Sequence, residues 1–331
     1  MIRRLLCLWT QQRQPYRNMA VEEYLTRQVQ PGECILYLWQ NDRTVVIGRN
    51  QDAGRECRMA ALQADGGFLA RRLSGGGAVY HDRNNLNYTF MVRQEDYDVA
   101  RQLSVILRAV NSFGLNAAAS GRNDLLLQGK KFSGSAFYRS GDCCYHHGTL
   151  LLRVDTAAME KYLQVSPAKL ASKGIASVRA RVIGLADRIP DLAPQLMGIR
   201  LRLAFGEVYG CPVEDLPETA LPEDAVAALQ QRFADKNWIF GPQRRDGCKV
   251  ERRFSWGEIG LQFVCRQNRI EQVRVFSDAM EQEYAPALER MLTGMAWNLP
   301  SLLAAVDRVE ASAENLPQLK ADTKELLQSL F

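Results

Sequence analysis

Only three histidines occur in the 331 residues, His81, His146 and His147, and no two cysteines stand in a Cys-x-x-Cys spacing. A structural zinc site needs about four Cys or His ligands at short spacings, so that class is excluded. No apolar run approaches the ~20 residues that span a bilayer, so no transmembrane helix is expected. There is no internal repeat and no low-complexity tract. The arginines are scattered and lack interleaved stacking aromatics, which argues against nucleic acid as a partner. The eight cysteines therefore read as buried or idle thiols of a reducing compartment. Adjacent Cys143 and Cys144 follow Ser140-Gly141-Asp142 and are expected beside a turn, as free thiols.

What is present is an ordinary globular composition, 47% hydrophobic and 24% charged, with a mild net charge of +5. The length allows two domains. The excess of positive charge favours acidic ligands and acidic protein surfaces. The first 21 residues carry arginine and no acid, a trait of transit peptides. Residues 2–9 nevertheless read as an edge strand. Asn18 reads as the cap of a surface helix, with Glu22 and Glu23 in its opening turns. The segment is thus expected to belong to the fold.

Short strands follow one another through the first 150 residues, at 34–39, 44–48, 68–72, 78–81, 87–92, 124–127, 131–138 and 145–152. Helices are expected at 18–28, 55–64 and 99–113. The close spacing predicts an α+β protein with a mixed or antiparallel sheet, not a βαβ winding. Residues 1–240 form the expected large domain and 241–250 a linker rich in turn formers and charge. Residues 251–331 form a small α+β domain.

The densest signal is RRLSGGGAVYHD, residues 71–82. Three glycines let backbone N–H groups approach a ligand and form a concave anion site. Arg72 offers a planar fork for carboxylate or phosphate oxygens, and Arg71 points the other way if the segment is extended. The plain alternative is a flexible turn. A second cluster is GKKFSGSAFY, residues 129–138, where alternation puts Lys131, Ser133, Ser135 and Phe137 on one strand face. A lysine there sets a compact cation against an oxyanion.

Together with GRNDLLL at 121–127 and HHGTLLL at 146–152, these motifs resemble, in order, the bacterial lipoate–protein ligases of the biotin/lipoate ligase family. The resemblance runs from near residue 2 to about residue 280. It implies a large catalytic domain followed by a small C-terminal one, and ATP-dependent attachment of lipoate to a lysine of a carrier through lipoyl-AMP. It implies Lys131, rather than Lys130, as the cation between the lipoate carboxylate and the α-phosphate. Arg72, Ser74, Gly75, Gly76, Gly77, Ala78, Val79 and Tyr80 would bind ATP and substrate. Asn123, Asp124 and Ser135 join them, with Asp124 as the Mg²⁺ ligand and Asp82 as runner-up. Trp39 and His147 would border a dry tunnel for the lipoyl tail, although each is equally at home in a core. Basic residues 166–181, with Lys173, Gly174, Ser177, Val178, Arg179 and Arg181, would form a loop over the adenylate.

The carriers so implied are the lipoyl domains of 2-oxoacid dehydrogenase E2 subunits and the glycine-cleavage H protein, with a monomeric, cytoplasmic enzyme. Two rivals stand beside this reading. One is an ATP-independent octanoyl or lipoyl transferase with a cysteine nucleophile. The other is a non-catalytic lipoate sensor. Biotin ligase is disfavoured by the missing Gly-Arg-Gly-Arg signature.

Overall fold

The computed structural model describes residues 1–121, 123–164, 182–241 and 247–331. Its contacts divide the chain into two bodies. The first comprises residues 1–46, 57–70 and 79–239; the second comprises 47–56, 71–78 and 240–331. A cut of the sequence at residue 240 would assign 47–56 and 71–78 to the first body. Residues 242–246 of the expected linker lie outside the described residues.

The first body is built on an eight-stranded mixed sheet. Its strands are β1 (Arg4–Trp9), β2 (Glu33–Trp39), β6 (Asn85–Arg93), β7 (Ala117–Ser120), β8 (Asp124–Leu127), β9 (Lys130–Ser140), β10 (Cys143–Leu151) and β11 (Val213–Asp215), in the order β11-β1-β2-β6-β10-β9-β8-β7. β1 runs parallel to β2 and β11, and the other pairings are antiparallel. The expected edge strand at 2–9 is therefore interior. The three-residue β11, too short to show period-2 alternation, covers its outer side.

Each strand presents alternate residues to opposite faces. One face carries Cys34, Leu36, Leu38, Tyr88, Phe90, Val92, Cys144 and Leu150, and it packs under the helices Val99–Asn111 and Pro194–Tyr209. The first helix is amphipathic, with Gln102, Val105, Ile106, Ala109 and Val110 buried at helical spacing, and Asp98 caps its N-terminus on the Arg101 N–H. Each fully buried Leu or Phe in this layer contributes roughly 1.5–3 kcal/mol of transfer free energy.

The opposite face meets the helix Pro15–Gln28. Two expectations are corrected there. The cap is Gln14, whose side chain accepts from the Arg17 N–H, and not Asn18. Asn18 is buried within the helix and donates to the Gln40 carbonyl and to Asn41. Glu22 and Glu23 are each only 2% exposed, not surface residues. A proline at the first helical position, where no N–H is needed, moved the start three residues upstream.

A small sheet, ordered β4-β3-β5, comprises β3 (Thr44–Ile47), β4 (Phe68–Arg71) and β5 (Val79–His81). The expected helix at 55–64 is two short ones, Ala53–Glu56 and Met59–Ala64, interrupted where Cys57 forms a bridge with Leu163.

In the second body a three-stranded antiparallel sheet, β12 (Cys248–Phe254), β13 (Gly257–Arg266) and β14 (Arg269–Ser277), packs with the helices Tyr284–Leu292, Leu299–Asp307 and Leu316–Gln328. Segments 47–56 and 71–78 are bound into it. The Gly76 N–H donates to the Ala279 carbonyl at 2.9 Å and the Ser277 N–H to the Asn50 carbonyl at 3.0 Å. Arg55 pairs with Glu251 and Glu258. Among the described residues no helix is long and apolar enough to cross a membrane.

Candidate active site

The register of β9 is broken just where the chemistry-bearing residues begin. Asp124 pairs with Gly134 and Leu125 with Ser133, but Leu126 pairs with Lys131, so Phe132 is an extra residue in the ladder. Such a bulge shifts the alternation by one. Lys131 therefore leaves the face of Ser133 and Ser135, which corrects the shared face expected from sequence. Its ammonium lies across Gly134, where an added Cβ would collide with Lys131 Nζ, and it donates to Asp124 Oδ1 at 2.5 Å. The side chains of Lys131 and Asp124 keep 23% and 20% exposure, enough to meet a ligand.

Asp124, expected as a metal ligand, is thus first of all the partner of Lys131. Asn123 is occupied with the backbone of β9: its amide donates to the Ser135 carbonyl, and its own carbonyl accepts the Ser135 N–H. The Ser135 hydroxyl lies 3.0 Å from Tyr88 Oη on the helix-covered face, away from Lys131.

Along the Lys131 face runs a buried polar chain that the sequence reading missed. Glu22 Oε1 accepts from Thr89 Oγ1 at 2.7 Å and lies 2.8 Å from His147 Nδ1. Trp39 Nε1 donates to Thr89 Oγ1 at 3.1 Å, and the Trp39 ring meets His81 edge-on at 6.0 Å. Asn85 donates to Asn87, which donates to the Trp39 carbonyl. Trp39 and His147, assigned to one pocket by resemblance, are thus linked through Thr89 and Glu22. A signal existed: Asn85, Asn87 and Thr89 alternate with Leu86, Tyr88 and Phe90 in a strand buried on both faces. Buried polar groups on one face of such a strand require partners.

The glycine loop belongs to the second body. The Arg72 guanidinium donates to Ser74 Oγ and to the carbonyls of Gly75 and Gly77. Arg71 Nη1 donates to the carbonyls of Gly48, Arg49 and Gln51. Burial lowers the Arg71 guanidinium to about 10, so it still carries its charge at neutral pH. Both arginines shape backbone here, whereas the sequence reading gave Arg72 to ligand oxygens. Gly76 adopts φ +87°, a conformation that excludes most side chains. A Cβ at Gly75 would stand 2.5 Å from the Ala279 carbonyl oxygen. In the first body Tyr80 packs on the Tyr162 ring at 5.4 Å. Val79 lies in β5 opposite Val46, and Ala78 ends the loop. Asp82 accepts the Asn84 N–H in a turn, the structural role that such a residue usually has. Lys173, Gly174, Ser177, Val178, Arg179 and Arg181 lie outside the described residues.

His146, neighbour of His147, points into the core. It is fully buried against Tyr88, Phe90 and Phe137, and Nδ1 lies 3.1 Å from Gln102 Oε1. Burial, with a smaller contribution from His147, pushes its pKa down to about 3. An unfolded chain protonates such a ring near ~6.5. The associated stability is whole above ~6.5 and is lost as pH falls from there toward 3, by up to ~1.4 kcal/mol per pH unit. The denaturation midpoint should therefore drop between pH 7 and pH 5, and His146→Gln should flatten that slope. An unchanged slope would show that other groups govern acid unfolding.

Residues 14–201 match the family described as "Lipoyl protein ligase A/B catalytic domain", and residues 247–330 match "Bacterial lipoate protein ligase C-terminus". The chain is 37% identical over 321 residues to the lipoate–protein ligase A of Psychrobacter cryohalolentis, covering 95% of each protein. Its fold resembles that of P. falciparum LipL1 solved with lipoate, at TM-score 0.83 and 24% identity over 97% of this chain and 99% of that one. A lipoate–protein ligase A solved with ATP superposes at TM-score 0.63 and 25% identity, over 73% of this chain and 99% of that one. With both parts of the chain matched and a relative aligned along nearly its whole length, the protein belongs to the lipoate–protein ligase A family.

Proposed function

We propose that this protein uses ATP to join free lipoate to a lysine of a lipoyl carrier domain, with lipoyl-AMP as intermediate. The observation that carries the reading is the Lys131 ammonium, held by Asp124 over the bare Gly134 and still reachable from solvent. A carboxylate does not acylate an amine unaided and must first become a mixed anhydride. Bringing lipoate to ATP sets two anions together, and a fixed cation between them lowers that barrier. Lys131 would bridge the carboxylate and the α-phosphate. The Gly75, Gly76 and Gly77 loop, its Gly76 N–H given to the Ala279 carbonyl, would receive the phosphates, with Ser74, Ala78, Val79 and Tyr80 completing the nucleotide side. Trp39 and His147, fixed through Thr89 and Glu22, would border the lipoyl tail.

Among the described residues no group of three or more acidic, His or Cys side chains is arranged for a metal. Mg²⁺ carried on ATP needs only one or two protein carboxylates, and Asp124 would supply one. When bound, such an ion would neutralise phosphate charge. The acceptor would be a lipoyl domain of an E2 subunit or a glycine-cleavage H protein, met by a monomer in the cytoplasm. The archaeal ligase of Thermoplasma acidophilum, 27% identical and at TM-score 0.64 over 74% of this chain, was studied with its E2 lipoyl domain. The deciding test is lipoate-dependent exchange of labelled pyrophosphate into ATP with no carrier present. Absence of exchange, with transfer from an acyl carrier still active, would point to a transferase.

The thiols argue for the ligase. Burial raises the pKa of both Cys143 and Cys144, which disfavours the thiolate. They stand at the far end of β9 from Lys131, opposite Ser140 and Arg139, roughly 30 Å along the strand at ~3.3 Å per residue. The double variant Cys143→Ser, Cys144→Ser should ligate lipoate at the wild-type rate. An acyl group trapped on either cysteine of the parent protein would overturn the ligase reading.

A further inference from the structure

The strand that carries Lys131 is fastened from behind by a residue that touches no part of the site. Tyr88 rises from β6, is fully buried, and reaches across the whole width of β10 to β9. Its hydroxyl lies 3.0 Å from Ser135 Oγ and 3.4 Å from Ser133 Oγ, the two residues that flank Gly134. The path exists because β10 has a glycine in the way: a Cβ at Gly148 would collide with the phenol oxygen. Gly134 and Gly148 thus leave space on opposite faces, one for the Lys131 ammonium and one for the Tyr88 phenol.

Such a fastening acts where the ladder is irregular. The bulge at Phe132 precedes Ser133 directly, and a bulge leaves an unpaired residue and disrupts the ladder locally. A slip of one residue would turn the Lys131 side chain to the other face. We infer that Tyr88 is a positioning residue for adenylation: its hydroxyl, shared by Ser133 and Ser135, pins β9 just after the bulge and so fixes where the Lys131 ammonium stands. The inference rests on Lys131 acting as proposed above. It gives the Ser-Gly-Ser motif a role behind the sheet, with the hydroxyls holding the strand and the glycine seating the lysine.

The test compares Tyr88→Phe, the pair Ser133→Ala with Ser135→Ala, and all three changes together, by lipoate-dependent pyrophosphate exchange and thermal unfolding. Phenylalanine keeps the buried ring and removes only the hydroxyl, and the serine pair removes the same bonds from the other side without touching the ring. Small displacements of a catalytic group are costly to rate. The kcat of Tyr88→Phe should fall roughly 10-fold at saturating lipoate and ATP, with both KM values within about two-fold of wild type. The triple change should be no slower than either parent, because the three hydroxyls act as one unit. A wild-type kcat in Tyr88→Phe overturns the inference. So do effects that multiply in the triple variant, or a loss of rate that only tracks the loss of folded protein. Lys131→Ala measured alongside separates the premises. If it keeps near-normal exchange, the role of Lys131 falls and takes the clamp with it; if it is dead while Tyr88→Phe is normal, only the clamp falls.

Discussion

Lys131→Ala should lower pyrophosphate exchange by about 100- to 1000-fold and leave the fold intact, the scale expected for one preorganised charge-stabilising contact. The side chain is a quarter exposed and lies over Gly134, so truncation opens little buried space. Lys131→Arg should not rescue. A planar fork is larger than an ammonium and would have to fit the same room over Gly134 while meeting Asp124. Asp124→Asn should fall between Lys131→Ala and the wild type, because the lysine keeps its charge but loses the carboxylate that aims it. Near-normal exchange in Lys131→Ala, with wild-type thermal stability, would remove Lys131 from the chemistry.

Glu22→Ala should be the most destabilising single change on the site face. Glu22 is almost wholly buried, and one of its oxygens serves both Thr89 and His147. Removing it takes the shared acceptor away from Thr89 and His147, at roughly 1–3 kcal/mol for each buried bond lost, and leaves a cavity. A loss of about 3 kcal/mol in unfolding free energy is expected, read from denaturant midpoints. Thr89 is also the partner of the Trp39 indole N–H. The Trp39 ring should therefore lose its fixed orientation, and the KM for lipoate should rise more than that for ATP. Equal changes in both KM values, or a stability within error of wild type, would contradict this account.

Much of the architecture was legible in the sequence because the strands alternate cleanly and the helices carry apolar residues at helical spacing. The places where sequence reasoning failed share a physical cause. Nothing local marks Phe132 as a bulge, so alternation was carried through it and Lys131 was grouped with Ser133 and Ser135. Glu22 reads as a solvent-facing acid in a helix, and only the distant Thr89 and His147 make its burial tolerable. Asp124 offers its carboxylate to a metal or to a lysine, and the pairing of β8 with β9, which brings it to Lys131, is not visible in its own segment. Gly148 gives no hint in sequence that a tyrosine from the neighbouring strand occupies the space it leaves.

The binding of segments 47–56 and 71–78 into the C-terminal body bears on how this protein could be divided. If the chain were made as two polypeptides, 1–241 and 247–331, the longer would retain the glycine loop but lose the carbonyl of Ala279 that meets Gly76. Asn50 would lose Ser277 and Gln282, and Arg55 would lose Glu251 and Glu258. The shorter piece carries a hydrophobic core of its own and presents the complementary half of each of these bonds. Co-expressed fragments would therefore have a ready-made means of reassociation, centred on the glycine loop. Fission of the gene at this point would yield a two-subunit enzyme in which assembly and the shape of the glycine-loop backbone are the same event.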